Sequence, residues 1–262
     1  MMMLTLTGVT KSFAGRPVLS GLEFQIDAGE SVALIGPNGS GKTTTLRAVA
    51  GLVRVDAGRI AVDGVDVLTA PASALARMSY LPQRPAFPPT LTVRETLQVV
   101  ARLRHLPAAA ADRELEACAI AQVAGRRVGE LSGGERQRLA LAVALLPDVP
   151  LYLFDEPSAN LDPAALRILF QRAAALKRSG RTLLFTTHVP ADLRQLATRV
   201  LVLGDGRIQA DGRGTFELRR YERQLGGLTW DHDDEEAIDD DRDGSAAGGR
   251  VYGFPRAAAG AN

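Results

Sequence analysis

Cysteine is nearly absent: Cys118 is the single one among 262 residues. That excludes an internal disulfide framework and a multi-cysteine metal site, and it fits a reducing compartment. The three histidines, His105, His188 and His232, lie far apart in sequence, so no local histidine cluster points to a metal. Aromatic residues make up only 5%. Long apolar runs are missing too. The most apolar stretch, Leu139–Phe154, is cut by Pro147, Asp148 and Pro150, short of the ~18 residues a membrane span needs. Met1–Gly8 has neither the basic region nor the apolar core of a secretory signal. If the protein works at a membrane, another chain is expected to supply the span.

A large charge of one sign is also lacking. The 31 basic and 30 acidic residues leave a net charge of +1, which argues against nucleic-acid binding through overall charge. The balance is a cancellation. Residues 226–262 hold nine acids and three arginines, leaving 28 basic and 21 acidic residues, net +7, in 1–225. That excess suits a protein handling a polyanion beside an anionic membrane surface. The acidic run Asp231–Asp243, followed by Gly, Ala and Ser, has the composition of a disordered tail.

What is present is an alternation of strand and helix signals. Leu4, Leu6 and Val9, then Leu22, Phe24 and Ile26, read as two half-buried strands, and Ser31–Ile35 as a buried one. Thr43–Ala50 reads as a helix ended by Gly51, and Arg59–Val62 and Met78–Leu81 as strands. Past Pro85, Pro88 and Pro89 the pattern turns helical: Thr92–Leu103, Asp112–Val123 and Ser132–Leu146. Arg102, Arg104 and His105 read as a solvated helix end or a partner contact, and Cys118 as a small helix residue. Strands at Leu151–Asp155 and Arg181–Thr187 then alternate with helices at Pro163–Lys177 and Ala191–Ala197. A hairpin around Gly204-Asp205-Gly206 follows. The expected architecture is an α/β core split by a helical insertion. Its expected divisions are 1–84 with 151–225 for the core, 85–150 for the helical subdomain and 226–262 for the tail.

Three motifs carry chemistry. Gly36-Pro37-Asn38-Gly39-Ser40-Gly41-Lys42-Thr43 fits the phosphate-binding loop G-x-x-x-x-G-K-[ST], placed between an apolar strand and a helix, with Thr44 next in the helix. Its glycines let backbone N–H groups face phosphate oxygens, and the helix N-terminus adds partial positive charge. Lys42 supplies a full charge, and Thr43 a hydroxyl for Mg²⁺. Leu151–Asp155 is an apolar strand ending in Asp155-Glu156. Buried carboxylates need a partner. Magnesium on a nucleotide provides one, with Asp155 organising the metal and Glu156 acting as base or orienter for water. Leu131-Ser132-Gly133-Gly134-Glu135 opens a helix and reads as a second anion-binding start.

Across roughly residues 3–220 the chain resembles the nucleotide-binding subunit of ATP-binding cassette transporters, a P-loop NTPase core with an N-terminal antiparallel β subdomain and an inserted α-helical subdomain. Leu131–Glu135 matches that family's signature motif, and the other family elements fall in order. Gln83 stands at the Q-loop position, Ser158–Asp162 resembles the D-loop, and His188 resembles the switch histidine. Phe13 stands where an aromatic stacks on adenine.

The resemblance implies an active ATPase using ATP and Mg²⁺, with Thr43, Gln83 and Asp155 around the metal and Glu156, His188, Gln83 and Lys42 in catalysis. It implies a head-to-tail dimer, homodimeric by expectation, in which Ser132, Gly133 and Gly134 contact the γ-phosphate in trans and Asp162 couples the two sites. Gln83 would sense nucleotide, and the surface Pro85–Val93 would meet a membrane permease at the cytoplasmic face of the membrane. No nucleic-acid partner is expected. Two other functions compete. A cassette acting on DNA would need a long coiled-coil insertion, and one acting on ribosomes usually carries two cassettes; neither feature is present. A non-hydrolysing regulatory module would require loss of Glu156 or His188, and both are in place. The segments Leu91–Leu97 and Ala101–Pro107 resemble export-class subunits, so export is the expected direction.

Overall fold

The computed structural model describes residues 1–159 and 161–213. Alternating apolar residues build the first layer. β1 (Met2–Phe13) buries Leu4, Leu6 and Val9; β2 (Arg16–Asp27) buries Leu19, Leu22, Phe24 and Ile26. Ala14 and Gly15, both at positive φ, make the tight turn between them. β4 (Ala57–Val62) and β5 (Val65–Asp66) complete an antiparallel sheet ordered β2-β1-β4-β5.

The second sheet runs β10-β9-β3-β8-β7-β6. Its central strands, β3 (Ser31–Ile35), β7 (Leu151–Asp155) and β8 (Thr182–Thr186), are buried at every position and pair in parallel. Such continuously apolar runs suit strands covered on both faces. Successive side chains point to opposite faces. Val32, Leu34, Leu151, Leu153 and Leu184 pack with the antiparallel sheet and α1 (Lys42–Val49). Ala33, Ile35, Tyr152, Phe154, Leu183 and Phe185 pack on the other side with the helices that follow. β6 (Met78–Leu81) lies at one edge, and the antiparallel hairpin of β9 (Arg199–Gly204) and β10 (Arg207–Arg213) at the other. The parallel strands therefore deliver their C-terminal ends to one rim, where α/β sheets bind ligands.

The helices follow their caps. α3 (Val93–Leu103) and α5 (Gly133–Leu145) each begin with a reciprocal capping box, Thr92 with Glu95 and Ser132 with Glu135. α6 (Pro163–Arg178) is capped by Asp162, and α7 (Pro190–Leu196) starts on a proline.

Differences from the sequence reading are local. The helix expected over Asp112–Val123 is α4 (Ala109–Ala117), followed by a separate 3₁₀ turn at Ala121–Val123. Ala119 takes a left-handed conformation, and Ile120 N turns back to Leu115 O at 3.0 Å, closing the helix. Cys118 is the buried C-cap residue of that helix, where burial pushes its thiol up to about 12. The short α2 (Pro71–Leu75) and the β4–β5 hairpin at Asp63-Gly64 were not anticipated. At the end of α3, Arg102 and His105 are exposed as a solvated end requires, but Arg104 is anchored, donating to Leu75 O and Met78 O, both at 3.0 Å. Among the described residues no helix is long and apolar enough to cross a membrane. The acidic run Asp231–Asp243 lies outside the described residues.

Candidate nucleotide site

The loop Gly36–Gly41 joins β3 to α1 at the rim. Gly36 leaves no room for a side chain, because a Cβ there would lie 2.1 Å from Leu203 O. Gly41, at φ 105, is pressed against Leu19 and Val18 in the same way. Lys42 folds its side chain back inside the loop, donating from Nζ to Gly36 O at 2.9 Å and Pro37 O at 3.1 Å. Burial pushes the Lys42 ammonium below its usual range, while Glu156 and Asp155 oppose that shift. Ser40 Oγ is buried without a hydrogen-bond partner among the described residues. A cationic loop interior with an unpaired hydroxyl is a cradle for phosphate oxygens.

The ends of β7 and β8 face this loop. Asp155 is buried, and its Oδ1 accepts from Thr43 Oγ1 at 3.1 Å and Thr186 Oγ1 at 2.7 Å. Tyr80, at the end of β6, approaches Oδ2 at 3.4 Å. Burial, with the Asp155 charge beside it, holds the Tyr80 hydroxyl up at about 12, so it stays protonated and a donor. Thr43 and Asp155 thus offer hard oxygen donors at one point, the donor class that Mg²⁺ takes alongside nucleotide phosphates. Among the described residues no three or more His, Cys, Asp or Glu side chains are arranged so that they could hold a metal ion by themselves. A protein-only metal cage is therefore not what this arrangement offers.

Glu156 has φ 50, a left-handed conformation that costs a non-glycine residue of order 1–3 kcal/mol. Its backbone N–H is held by Thr186, at 2.9 Å to Oγ1 and 3.2 Å to O. The strained turn sets its largely covered carboxylate between Gln83 and His188. Gln83 Nε2 donates to Oε2 at 2.6 Å, and His188 Nδ1 stands 3.6 Å from Oε1.

Lys42, Thr43, Gln83, Asp155, Glu156 and His188 are thus gathered at one rim. Pro37, Asn38, Gly39 and Ser40 line a cavity of about 360 Å³ with Val18, Ser20 and Asp205. Thr44 continues α1. Phe13 ends β1, its ring half exposed, with Lys11 Nζ 5.3 Å from the ring centroid.

The signature segment makes its own contacts elsewhere. Ser132 bonds within its capping box, and Gly133 and Gly134 open α5. Asp162 caps α6 through Ala165 N at 2.8 Å and takes both its oxygens to Arg138 of α5, at 2.9 and 2.7 Å. A Cβ on Gly134 would stand 3.3 Å from Asp162 Oδ2, so the glycine lets the cap of α6 approach the start of α5. The sequence reading did not single out Thr186, Tyr80 or Arg138. Thr186 and Tyr80 could have been suspected as polar residues at the ends of apolar strands.

A family profile described as ABC transporter matches residues 19–159, from β2 through the turn after Glu156. The chain belongs to this family. The Nod factor export ATP-binding protein I of Burkholderia lata is 40% identical over 208 residues, spanning 78% of this chain and 68% of that protein. A solved ATP-binding subunit of an ABC transporter superposes with a TM-score of 0.76 at 30% identity, over 86% of this chain and 93% of that one. A bacterial Atm1-family ABC exporter with ATP bound superposes with a TM-score of 0.77 at 28% identity, over 88% of this chain and 42% of that one. This ABC protein has the mixed α/β P-loop fold, and it is the ATP-binding, ATP-hydrolysing subunit of a transporter. Membership implies membrane permease partners and dimerisation.

Proposed function

We propose that this subunit drives export through a separate permease at the cytoplasmic face of the cell membrane, working as a homodimer around two ATP. The observation that carries the direction is the 40% identity to an ATP-binding protein named for Nod factor export. The division of labour we propose is a core of 1–84 and 151–225, a helical signature subdomain of 85–150, and an acidic tail of 226–262.

In this reading the backbone N–H groups of Gly36–Thr44 and the Lys42 ammonium bind the phosphates. The unpaired hydroxyl of Ser40 adds a donor. Thr43 and Asp155 would hold Mg²⁺, with Gln83 reaching it from its place on the neighbouring Glu156, and the bound metal would neutralise charge on the phosphates. The exposed ring of Phe13 stacks on adenine.

Glu156 is placed to accept a proton from the attacking water, and the strained turn keeps its carboxylate at the rim. His188 stands beside the same carboxylate and donates to the phosphoryl oxygens as charge develops there. Gln83 releases or takes Glu156 according to what occupies the site, linking chemistry to the loop that follows β6.

Ser132, Gly133 and Gly134 would complete the partner's site, because they form the N-terminal start of α5, where Gly133 and Gly134 present the first N–H groups of the helix and Ser132 its capping hydroxyl. The Arg138–Asp162 pair makes the signature helix and the D-loop move together, which suits coupling of two sites across a dimer. The permease is expected on the surface Pro85–Val93, next to the cleft lined by Tyr80, Arg84 and Phe87.

The experiment is co-expression with a membrane permease of an export-type ABC transporter from the same organism. Copurification, with ATPase stimulated by the substrate from the cytoplasmic side of reconstituted vesicles, is expected. Stimulation only from the opposite side would overturn export.

A further inference from the structure

The loop carrying Glu156 and the loop carrying His188 meet at a side chain that belongs to neither motif. Asp192 lies in the first turn of α7 and is fully buried. Its Oδ2 accepts from Ser158 Oγ and from Thr187 Oγ1, both at 2.6 Å. Thr187 Oγ1 also accepts from Val189 N at 2.9 Å, so the residues flanking His188 are drawn into one bonded turn while the imidazole stays exposed. On the other loop, Ala159 N donates to Glu156 O at 3.1 Å, closing a turn that contains Ser158. The packing of Leu193 and Leu196, both fully buried, fixes α7 and hence the position of Asp192.

Packing alone does not explain an acid here. Asp192 Oδ1 is buried and has no hydrogen-bond partner among the described residues. A half-satisfied carboxylate in the interior is destabilising, and an apolar side chain of similar size would pack at lower cost. Burial accordingly pushes this acid above the usual carboxylate range, against the pull of its two hydroxyl donors and of His188. What the carboxylate adds is a single oxygen on which two separate loops converge.

We propose that Asp192 is a positioning residue for ATP hydrolysis, holding Ser158 and Thr187 together so that Glu156 and His188 keep their mutual placement. The separation it maintains is the 3.6 Å between His188 Nδ1 and Glu156 Oε1. The inference rests on the roles proposed above for those two residues. It predicts that loss of Asp192 slows turnover without weakening ATP binding, because the phosphate loop is held by other bonds.

Steady-state kinetics on the full-length protein decide the matter, comparing D192A, D192N and E156Q with the parent. D192A is expected to lower kcat about tenfold, with KM for ATP within about twofold. In D192N the amide oxygen can accept both hydroxyls, so kcat is expected to recover to within about threefold of the parent. If D192A retains parental kcat, or if both variants lose kcat and ATP affinity alike, the proposal is overturned. Should D192A not fold, S158A and T187V each remove one of the two bonds. Lowered kcat at unchanged KM supports the role, and parental kcat in both contradicts it. E156Q separates this inference from the reading beneath it. Normal hydrolysis by E156Q sinks the role of Glu156 itself, whereas an inactive E156Q beside a fully active D192A sinks only the role of Asp192.

Discussion

Gln83 donates its side-chain amide to the carboxylate of Glu156 at 2.6 Å, joining the loop after β6 to the end of β7. This bond occupies one oxygen of the group proposed to receive a proton from water. It therefore links the surface proposed to meet the permease with the reacting centre.

Removing the amide is expected to separate binding from turnover. Q83A should lower kcat by about tenfold while ATP affinity changes by less than about threefold, since the phosphate loop keeps its own contacts. Stopped-flow nucleotide binding beside steady-state hydrolysis checks this. A parallel loss of affinity would place Gln83 among the binding groups instead.

Lys42 gives a prediction in which function and stability part company. Its ammonium is buried and its pKa lowered, so the folded chain holds this proton less tightly than the unfolded chain does. Stability from this group therefore grows as pH rises from the lowered value through the ordinary 10.5, and the charged form is a burden at neutral pH. K42M is expected to melt no lower than the parent at pH 7 without nucleotide. It should also lose about 10–100-fold in ATP affinity, and with it the thermal shift that ATP produces. A large drop in the nucleotide-free melting temperature would mean that Lys42 is mainly structural.

The acid limb of stability has a local source at the signature helix. Glu135 completes the Ser132 capping box, accepting from Ser132 N at 2.8 Å, and this bond holds its carboxyl below the ordinary 4.5. The contribution is present above pH 4.5 and is lost as pH falls through the lowered value. E135Q keeps a capping side chain but cannot titrate. Its stability, from urea unfolding between about pH 3 and 6, should fall less steeply with acid than the parent's. Identical slopes would show that this cap is not ionically reinforced.

These sites differ in how far the residues announce them. The phosphate loop was legible because its glycines, lysine and threonine have fixed spacing, and Gly36 and Gly41 indeed sit where a side chain would collide. The helix start at Ser132 was legible from its hydroxyl, whereas the return bonds of Glu95 and Glu135 that complete the capping boxes at Thr92 and Ser132 were not read, although glutamate stands three residues on in both. The end of α4 was not legible, because Ala119 adopts a left-handed conformation without a glycine to signal it. Nor was the anchoring of Arg104, whose partners are backbone carbonyls from a distant segment. The bonds of Thr186 and Asp192 depend on strand register and helix docking, which bring together residues about thirty positions apart. Pattern along the chain finds the groups that touch ligand more readily than the groups that hold them in place.

The central claim is that two copies of this chain close around ATP, with Ser132 completing the partner's site. Sedimentation of E156Q, which should bind ATP without hydrolysing it, tests this most directly. The account predicts a monomer without nucleotide, a dimer with ATP, and loss of that dimer when S132R is added to E156Q. A monomer at saturating ATP, or a dimer indifferent to S132R, would contradict it.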